Sequence, residues 1–400
     1  MNICYVTPDV AVPYFRGAST HVYEVSRNLS ARGHRVSVVS RRLRRSQPRW
    51  EAVDGFQTYR SFQGLAFEPP TSSYSGAHVD KGSFTPMQRL YSWYLRSYRA
   101  VQLGAEVATV MAGRGIDIVI ERETAFGAGA LLSTILGVPM VLEMIGPRVS
   151  PVSLKRANRV LAYSTFMAGG RVPRNKLEIV PAGVDTETFR SDPAAGARTR
   201  GKLGLGDEFV AGYVGTFQLW HGVNSLLSAV KKLRSEGRNV KALMVGPYSA
   251  EAQKFAADLG LSDAALFVGP VPYESVPSYI NACDALCAPY DPSLSKARSQ
   301  GGIGAPLKVL EYMACEKPVV ATLVRPIPDV VKDGSNGLVV PPGDVGALAG
   351  AIEALILNPE TAAAIGKAAR ETVVADYSWA TLARTLEGVL ASARANYLGN

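Results

Sequence analysis

The sequence predicts an α/β protein made of two doubly wound domains facing each other across a cleft. Its 400 residues exceed what one hydrophobic core usually serves, so two domains are expected. Short β-branched runs alternate with amphipathic stretches, the pattern of parallel strands covered by helices. The alternation lapses once, at 181–192 (PAGVDTETFRSD), and then resumes, so the chain reads as two similar halves joined by a linker.

In the first half the expected strands are Ile3–Val6, Arg35–Val39, Ile116–Ile120, Met140–Glu143, Arg159–Ala162 and Leu177–Val180. Between the first two lies a helix that keeps Val22, Val25 and Leu29 at helical spacing. It should start near Ser19 or Thr20, either of which offers an N-cap oxygen, and end at Gly33. The second half offers Phe209–Val214, Val240–Val245, Ala265–Val268, Ala285–Ala288, Val319–Ala321 and Gly337–Val340. Ligands of such sheets sit at the carboxyl ends of the strands, which makes the cleft the expected active site. Residues 63–88 break the pattern, being rich in Pro, Gly and Ser, and a loop of that length is usually functional or mobile. After it, Arg89, Tyr91, Trp93, Tyr94, Arg96, Tyr98 and Arg99 crowd one helix, fitting a lipid interface, a sugar-binding wall or an ordinary packed helix.

Composition narrows the class. An apolar content of 47% with 19% charged residues describes a globular chain, not a disordered one. There is no apolar run of about twenty residues, as a membrane span needs, and the first residues, Met1 to Val6, read as a strand rather than a signal peptide. Cys4, Cys283, Cys287 and Cys315 follow no metal-site spacing, so buried thiols in a reducing cytoplasm are expected. The net charge is +9, and its excess lies in the first hundred residues, where fourteen Lys/Arg face six Asp/Glu. Five of those cations are Arg41, Arg42, Arg44, Arg45 and Arg49. They read either as a solvated loop or as a patch for an anionic membrane surface or a phosphate-bearing acceptor. A cytoplasmic protein is expected, with peripheral contact at the inner membrane face if the patch is used, and no nucleic-acid partner.

The densest chemistry lies in GGIGAPLKVLEYMACEKPVVA, residues 301–321. Gly301, Gly302 and Gly304 let backbone amides approach an anion, and the helix start behind them adds a positive dipole end. Lys308 places a full positive charge in the first helical turn, where helix stability alone favours an acid. Glu311 follows three residues on, on the same helical face. One cation for phosphates and one carboxylate for a sugar diol suit a nucleotide sugar, although the pair also fits an ordinary surface ion pair.

The chain resembles the retaining GT-B glycosyltransferases of family 4 over nearly all of its length. NICYVTPDV followed by GASTHVYEVSRNLSARGHRVSVVS looks like the family's first strand, glycine loop and first helix. VPAGVDTETF (180–189) looks like its hinge, and YVGTFQLWHGVNSLLSAV like the opening of its donor domain. The stretch from Pro306 to Pro342, with NGLVVPPGD, is the most specific segment. Tyr377-Ser378-Trp379 and the helix after it look like the closing helix that crosses back onto the N-terminal domain. The resemblance implies two Rossmann-like domains, 1–185 for the acceptor and 186–377 for the nucleotide sugar, with 378–400 packed on the first. It implies a hexosyltransferase that uses no cofactor beyond its nucleotide-sugar co-substrate. There are departures. Of the family's paired glutamates only the second is present, as Glu311, the one that holds the ribose hydroxyls; Ile303 stands at the first. Thr216 and His221 occupy the places of an Arg and a Lys that hold the diphosphate. A WHG and PLKxxEYMA pairing marks a branch of the family that also tends to carry an E-R segment and a strand ending in Glu, here Glu121-Arg122 and Glu143.

A leaving diphosphate gathers negative charge, and pre-aimed cations and amides stabilise it best in a dry site. Lys308 and the amides near Gly304 are assigned to it, with Ala305, Pro306, Val309, Thr216 and His221 as further donor-binding residues. Gly17 and the amide of Ala18, at the first helix start, are expected to face the same phosphates. Arg122, Glu143, His21 and Arg16 are the acceptor-side candidates, with a plain buried ion pair as the alternative for Arg122 and Glu143. No Asp-x-Asp motif is convincing, so a metal-independent reaction is expected. Two other readings stay open at this point: a GT-B nucleotide-sugar epimerase or hydrolase, and a non-catalytic nucleotide-sugar-binding protein.

Overall fold

The computed structural model describes residues 1–13, 17–44, 46–61, 86–123, 127–145, 149–295 and 303–399. Contacts divide the chain into two compact units, Met1–Pro181 with Trp379–Asn400, and Ala182–Ser378. The divisions fall within four residues of the boundaries expected at 185/186 and 377/378.

The first unit holds strands β1 (Asn2–Val6), β2 (Arg35–Arg41), β3 (Trp50–Val53), β4 (Phe56–Ser61), β5 (Ile118–Arg122), β6 (Met140–Met144), β7 (Arg159–Ala162) and β8 (Leu177–Ile179). Their order in the sheet is β3-β4-β2-β1-β5-β6-β7-β8, with only the β3–β4 pair antiparallel. The strand order reverses between β1 and β5, the position where open α/β sheets bind ligands. Ile3, Tyr5, Val36, Val38, Ile118 and Ile120 pack beneath the helix Gly17–Ala31 and the final helix Trp379–Leu398, while Cys4, Val6, Val39, Val119 and Leu142 form the core of the opposite face. The closing helix thus belongs to the N-terminal unit, as the resemblance implied.

The second unit holds β9 (Phe209–Val214), β10 (Val240–Val245), β11 (Ala265–Gly269), β12 (Ala285–Ala288), β13 (Val319–Thr322) and β14 (Leu338–Val340), all parallel, in the order β11-β10-β9-β12-β13-β14. Each expected strand of this half is present. The strands are apolar on both faces because helices cover both.

Three expectations are corrected. The first helix begins at Gly17, so Ser19 and Thr20 lie inside it and neither is its N-cap. It does end before Gly33, whose φ of +85° accepts the left-handed turn. The hairpin β3–β4 was not anticipated; Asp54 (φ 39°) and Gly55 (φ 91°) make its two-residue turn. The stretch 182–192 is not a free linker. Phe189 is fully buried in the second unit's core, and Arg370 donates to the carbonyls of Phe189 (2.8 Å) and Thr186 (3.1 Å).

Candidate functional site

The helix Leu307–Ala314 presents the donor-side candidates. Tyr312 anchors it: its hydroxyl donates to the carbonyl of Val214 (2.8 Å) and accepts from the Val214 amide (2.8 Å), at the carboxyl end of β9. One turn earlier on the same face, Lys308 is thereby carried to the end of that strand. Its Nζ donates to the Tyr213 hydroxyl at 2.6 Å and lies 4.3 Å from the centre of the Tyr213 ring and 5.3 Å from that of Tyr290. Gly215, at φ +146°, leaves the room this needs, because a Cβ there would stand 2.8 Å from Nζ. Lys308 keeps a sliver of exposed surface, yet protein packs densely around its ammonium. Burial pulls the pKa down to about 7, with Glu311 opposing.

Glu311 lies one turn further along. Burial pushes its carboxyl up to about 7, against the pull of a Tyr273 hydrogen bond (3.2 Å) and of Lys308. Tyr273 is itself set by an edge-on contact with Phe189, ring centres 5.5 Å apart.

The loop before this helix is open. A Cβ on Gly304 would meet nothing within 4 Å. No side chain caps the helix, whose N-cap is Pro306. Among the described residues the amides of Gly304, Ala305, Leu307 and Lys308 have no hydrogen-bond acceptor, whereas the Ile303 amide is taken by the Arg325 carbonyl (2.9 Å). Val309 differs from expectation. It is fully buried and its amide bonds the Pro306 carbonyl (2.9 Å), so it secures the helix start rather than facing a ligand. Gly301 and Gly302 lie outside the described residues.

Thr216 and His221 are joined to Lys308 through Tyr213. The Tyr213 hydroxyl donates to the Thr216 carbonyl (2.6 Å) and contacts His221 Nδ1 (2.9 Å), which is itself 2.6 Å from that carbonyl. A carbonyl only accepts, so Nδ1 carries a hydrogen in either charge state of the ring. Thr216 therefore contributes chiefly its backbone oxygen. His221 is buried against Trp220, ring centres 4.1 Å apart. Gly222 completes the turn at φ +71°, with the Pro289 carbonyl 1.7 Å from where a Cβ would be.

The acceptor-side candidates sit in the first unit around Glu143 at the end of β6. Its Oε1 receives Arg122 (2.9 Å), His21 Nε2 (2.8 Å) and the Tyr163 hydroxyl (2.9 Å), and its Oε2 receives the Tyr5 hydroxyl. Burial opposes ionisation, but Arg122 and His21 outweigh it and hold the carboxyl well below the usual carboxylate range. Four donors leave this carboxylate no capacity as a base. The buried ion pair given as the alternative for Arg122 and Glu143 is present, at 2.9 Å. His21 also meets Trp379 of the closing helix edge-on, at 5.4 Å. A cavity of ≈ 20 Å³ lined by Tyr5, His21, Glu143 and Tyr163 holds about one water and is too small for a sugar. Two buried atoms here have no partner, Arg122 Nε and His21 Nδ1. Glu121, its side chain on the other face of β5, takes the amides of Gly127 (3.0 Å) and Ala130 (2.6 Å) and anchors the start of the helix Ala128–Leu136.

Gly17 and Ala18 open the first helix, while Arg16 lies outside the described residues. So do Arg45, residues 62–85, and the side chains of Arg89, Tyr91, Trp93, Tyr94, Arg96 and Arg99. In the arginine cluster, Arg42 turns onto its own loop, bonding the Gln47 carbonyl at 2.7 Å and 3.1 Å. Arg44 is exposed, beside the exposed Leu43. All four cysteines are buried free thiols.

Two successive parallel sheets covered by helices, with a cation and a carboxylate one turn apart beyond β9, define a nucleotide-sugar glycosyltransferase of the GT-B fold. The profile described as Glycosyl transferases group 1 matches residues 197–372, and that described as Glycosyltransferase Family 4 matches 15–188. The chain belongs to this family. It is similar to a GDP-mannose-dependent alpha-(1-6)-phosphatidylinositol monomannoside mannosyltransferase of Mycobacterium tuberculosis, 27% identical over 97% of this chain and 98% of the relative. The mannosyltransferase of the same description from Mycolicibacterium smegmatis is 33% identical over 56% of this chain and 58% of the relative. Among solved structures, a sucrose-phosphate synthase from Thermosynechococcus elongatus superposes with a TM-score of 0.77 at 20% identity, covering 99% of each chain, a likeness of fold.

Proposed function

We propose that the protein is a retaining, metal-independent hexosyltransferase that moves a sugar from a nucleoside-diphosphate sugar to a hydroxyl acceptor. GDP-mannose is the first donor to test, because a relative matched over 97% of the chain is named for it. The observation that carries the reading is Lys308. It stands at a helix start that no side chain caps, bonded to a neutral phenol, with amides before it that have no acceptor among the described residues and Glu311 three residues on. The ammonium and the amides hold the diphosphate, and Glu311 takes the ribose hydroxyls. In the reaction the bond from the sugar C1 to the phosphate oxygen breaks and the acceptor oxygen bonds C1 on the same face. The acceptor proton passes to the leaving phosphate oxygen. No protein base is then required, in keeping with a Glu143 carboxylate already holding four donors. Thermal shift with GDP, UDP and ADP, followed by nucleotide release from GDP-mannose and UDP-glucose, tests the reading. A rise in melting temperature with one nucleotide, abolished in Lys308→Met, is expected; no shift with any of the three would refute it.

A cytoplasmic protein that meets an anionic membrane is the accompanying reading for the arginine cluster, favoured by exposed Arg44 next to Leu43. Among the described residues no single helix is long and apolar enough to cross a membrane. Pelleting with vesicles of phosphatidylserine, weakened by salt and by Arg44→Glu, is the expected behaviour; indifference to both would remove it.

A further inference from the structure

Lys308 is held in an unusual way. Lys308 is half-buried, and among the described residues the hydrogen-bond partner of its ammonium is not a carboxylate but the hydroxyl of Tyr213, a fully buried side chain on β9. Among the described residues the groups facing Nζ are Tyr213 from β9, Tyr290 from the segment after β12 and Glu311 from its own helix, with His221 reached through Tyr213. The Tyr213 O–H is spent on the Thr216 carbonyl (2.6 Å), which also receives His221 Nδ1–H (2.6 Å), so the lone pairs of the phenol oxygen are left to accept from Lys308 (2.6 Å).

We propose that Tyr213 is a positioning residue for Lys308: its oxygen fixes the ammonium at the start of the helix Leu307–Ala314, and the shared Thr216 carbonyl ties that placement to His221. The inference rests on the reading that Lys308 receives the donor diphosphate. A phenol suits this task where a carboxylate would not. It orients the N–H bonds without cancelling the charge, which stays available to a doubly charged ligand. An aspartate in the same place would form an ion pair that the diphosphate must break.

The test is a double-mutant cycle on nucleoside diphosphate binding. Dissociation constants for GDP and UDP are measured by calorimetry from pH 6 to 9 for the wild type, Tyr213→Phe, Lys308→Met and the double variant. Tyr213→Phe keeps the ring and should weaken binding about tenfold, the loss of one hydrogen bond to a charged group. It should also move the pH at which binding begins to weaken to a lower value, because the ammonium loses an acceptor. In the Lys308→Met background the same change should have no effect. Equal losses in both backgrounds, or an unmoved pH midpoint in a folded Tyr213→Phe protein, would overturn the inference. If that variant does not fold, site-specific 3-fluorotyrosine at 213 preserves shape and weakens the oxygen as an acceptor. An acid shift of the midpoint supports the inference and an unchanged midpoint overturns it. Wild-type affinity in Lys308→Met alone would instead sink the underlying donor reading, so the two failures are distinguishable.

Discussion

Tyr273 donates a 3.2 Å hydrogen bond to Oε1 of Glu311, the carboxylate assigned to the ribose, across 38 residues of sequence. The bond favours the charged form of a group that burial otherwise pushes up to about 7. Glu311→Gln should raise the donor KM by roughly 10- to 100-fold, the range for hydrogen bonds to a charged group. Tyr273→Phe should raise it less and move the acid limb of kcat/KM to higher pH. Steady-state kinetics with saturating acceptor measures both.

Lys308 and Glu311 together set a pH window. Donor binding needs the ammonium charged, which is lost above about 7, and the carboxylate charged, which is lost below about 7. The two groups interact, so the titration belongs to the pair. Affinity for a nucleotide sugar should form a bell centred near neutrality, each limb approaching tenfold per pH unit. In the unliganded protein the signs differ. Lys308 has a folded value of about 7, below its ordinary value of 10.5, so the unfolded chain binds more protons between them and stability rises across that window. Glu311 has a folded value of about 7, above its ordinary value of 4.5, so stability falls as pH rises between those two. Lys308→Met should flatten the upper window, which denaturant melts at pH 7 and 9 will show.

Glu143 is predicted to matter for folding. Glu143→Gln leaves Arg122 buried with its charge unmatched, and breaking a buried pair from one side costs about 3–5 kcal/mol. A large drop in melting temperature is expected, with little change in kcat for the fraction that remains folded. Because the folded carboxyl sits below its ordinary value of 4.5, its stabilisation is present above pH 4.5 and fades as pH falls through the folded value. A stable Glu143→Gln protein with abolished turnover would restore the catalytic assignment.

Gly222 explains the glycine that follows His221. Any Cβ there would drive into the Pro289 carbonyl, and φ is +71°. Gly222→Ala should destabilise the second unit by more than about 2 kcal/mol, the combined effect of strain and clash. It should weaken donor binding as well, since the turn carries His221. Circular dichroism melts and calorimetry separate the two.

The legible parts of this molecule were those written locally. The strands of the second half, the pairing of Lys308 with Glu311 on one helical face, and the return of the last helix to the first unit could all be read from spacing or resemblance. The β3–β4 hairpin carried a signal too: Asp54-Gly55 is the dipeptide of a two-residue hairpin turn. Tyr213 and Tyr273 were missed because they reach the site from 95 and 38 residues away, and an apolar strand or loop gives a tyrosine no mark of function. The full set of donors around Glu143 was hidden for the same reason. Tyr5, which completes its shell of donors, is 138 residues distant.

The placement of the diphosphate on Lys308 is tested most directly by calorimetric titration of GDP and UDP into wild-type and Lys308→Met protein at pH 7. For whichever nucleotide the wild type binds, affinity should fall by about 100-fold in the variant, as loss of a charged anion contact implies. Equal affinity in the two proteins would contradict it.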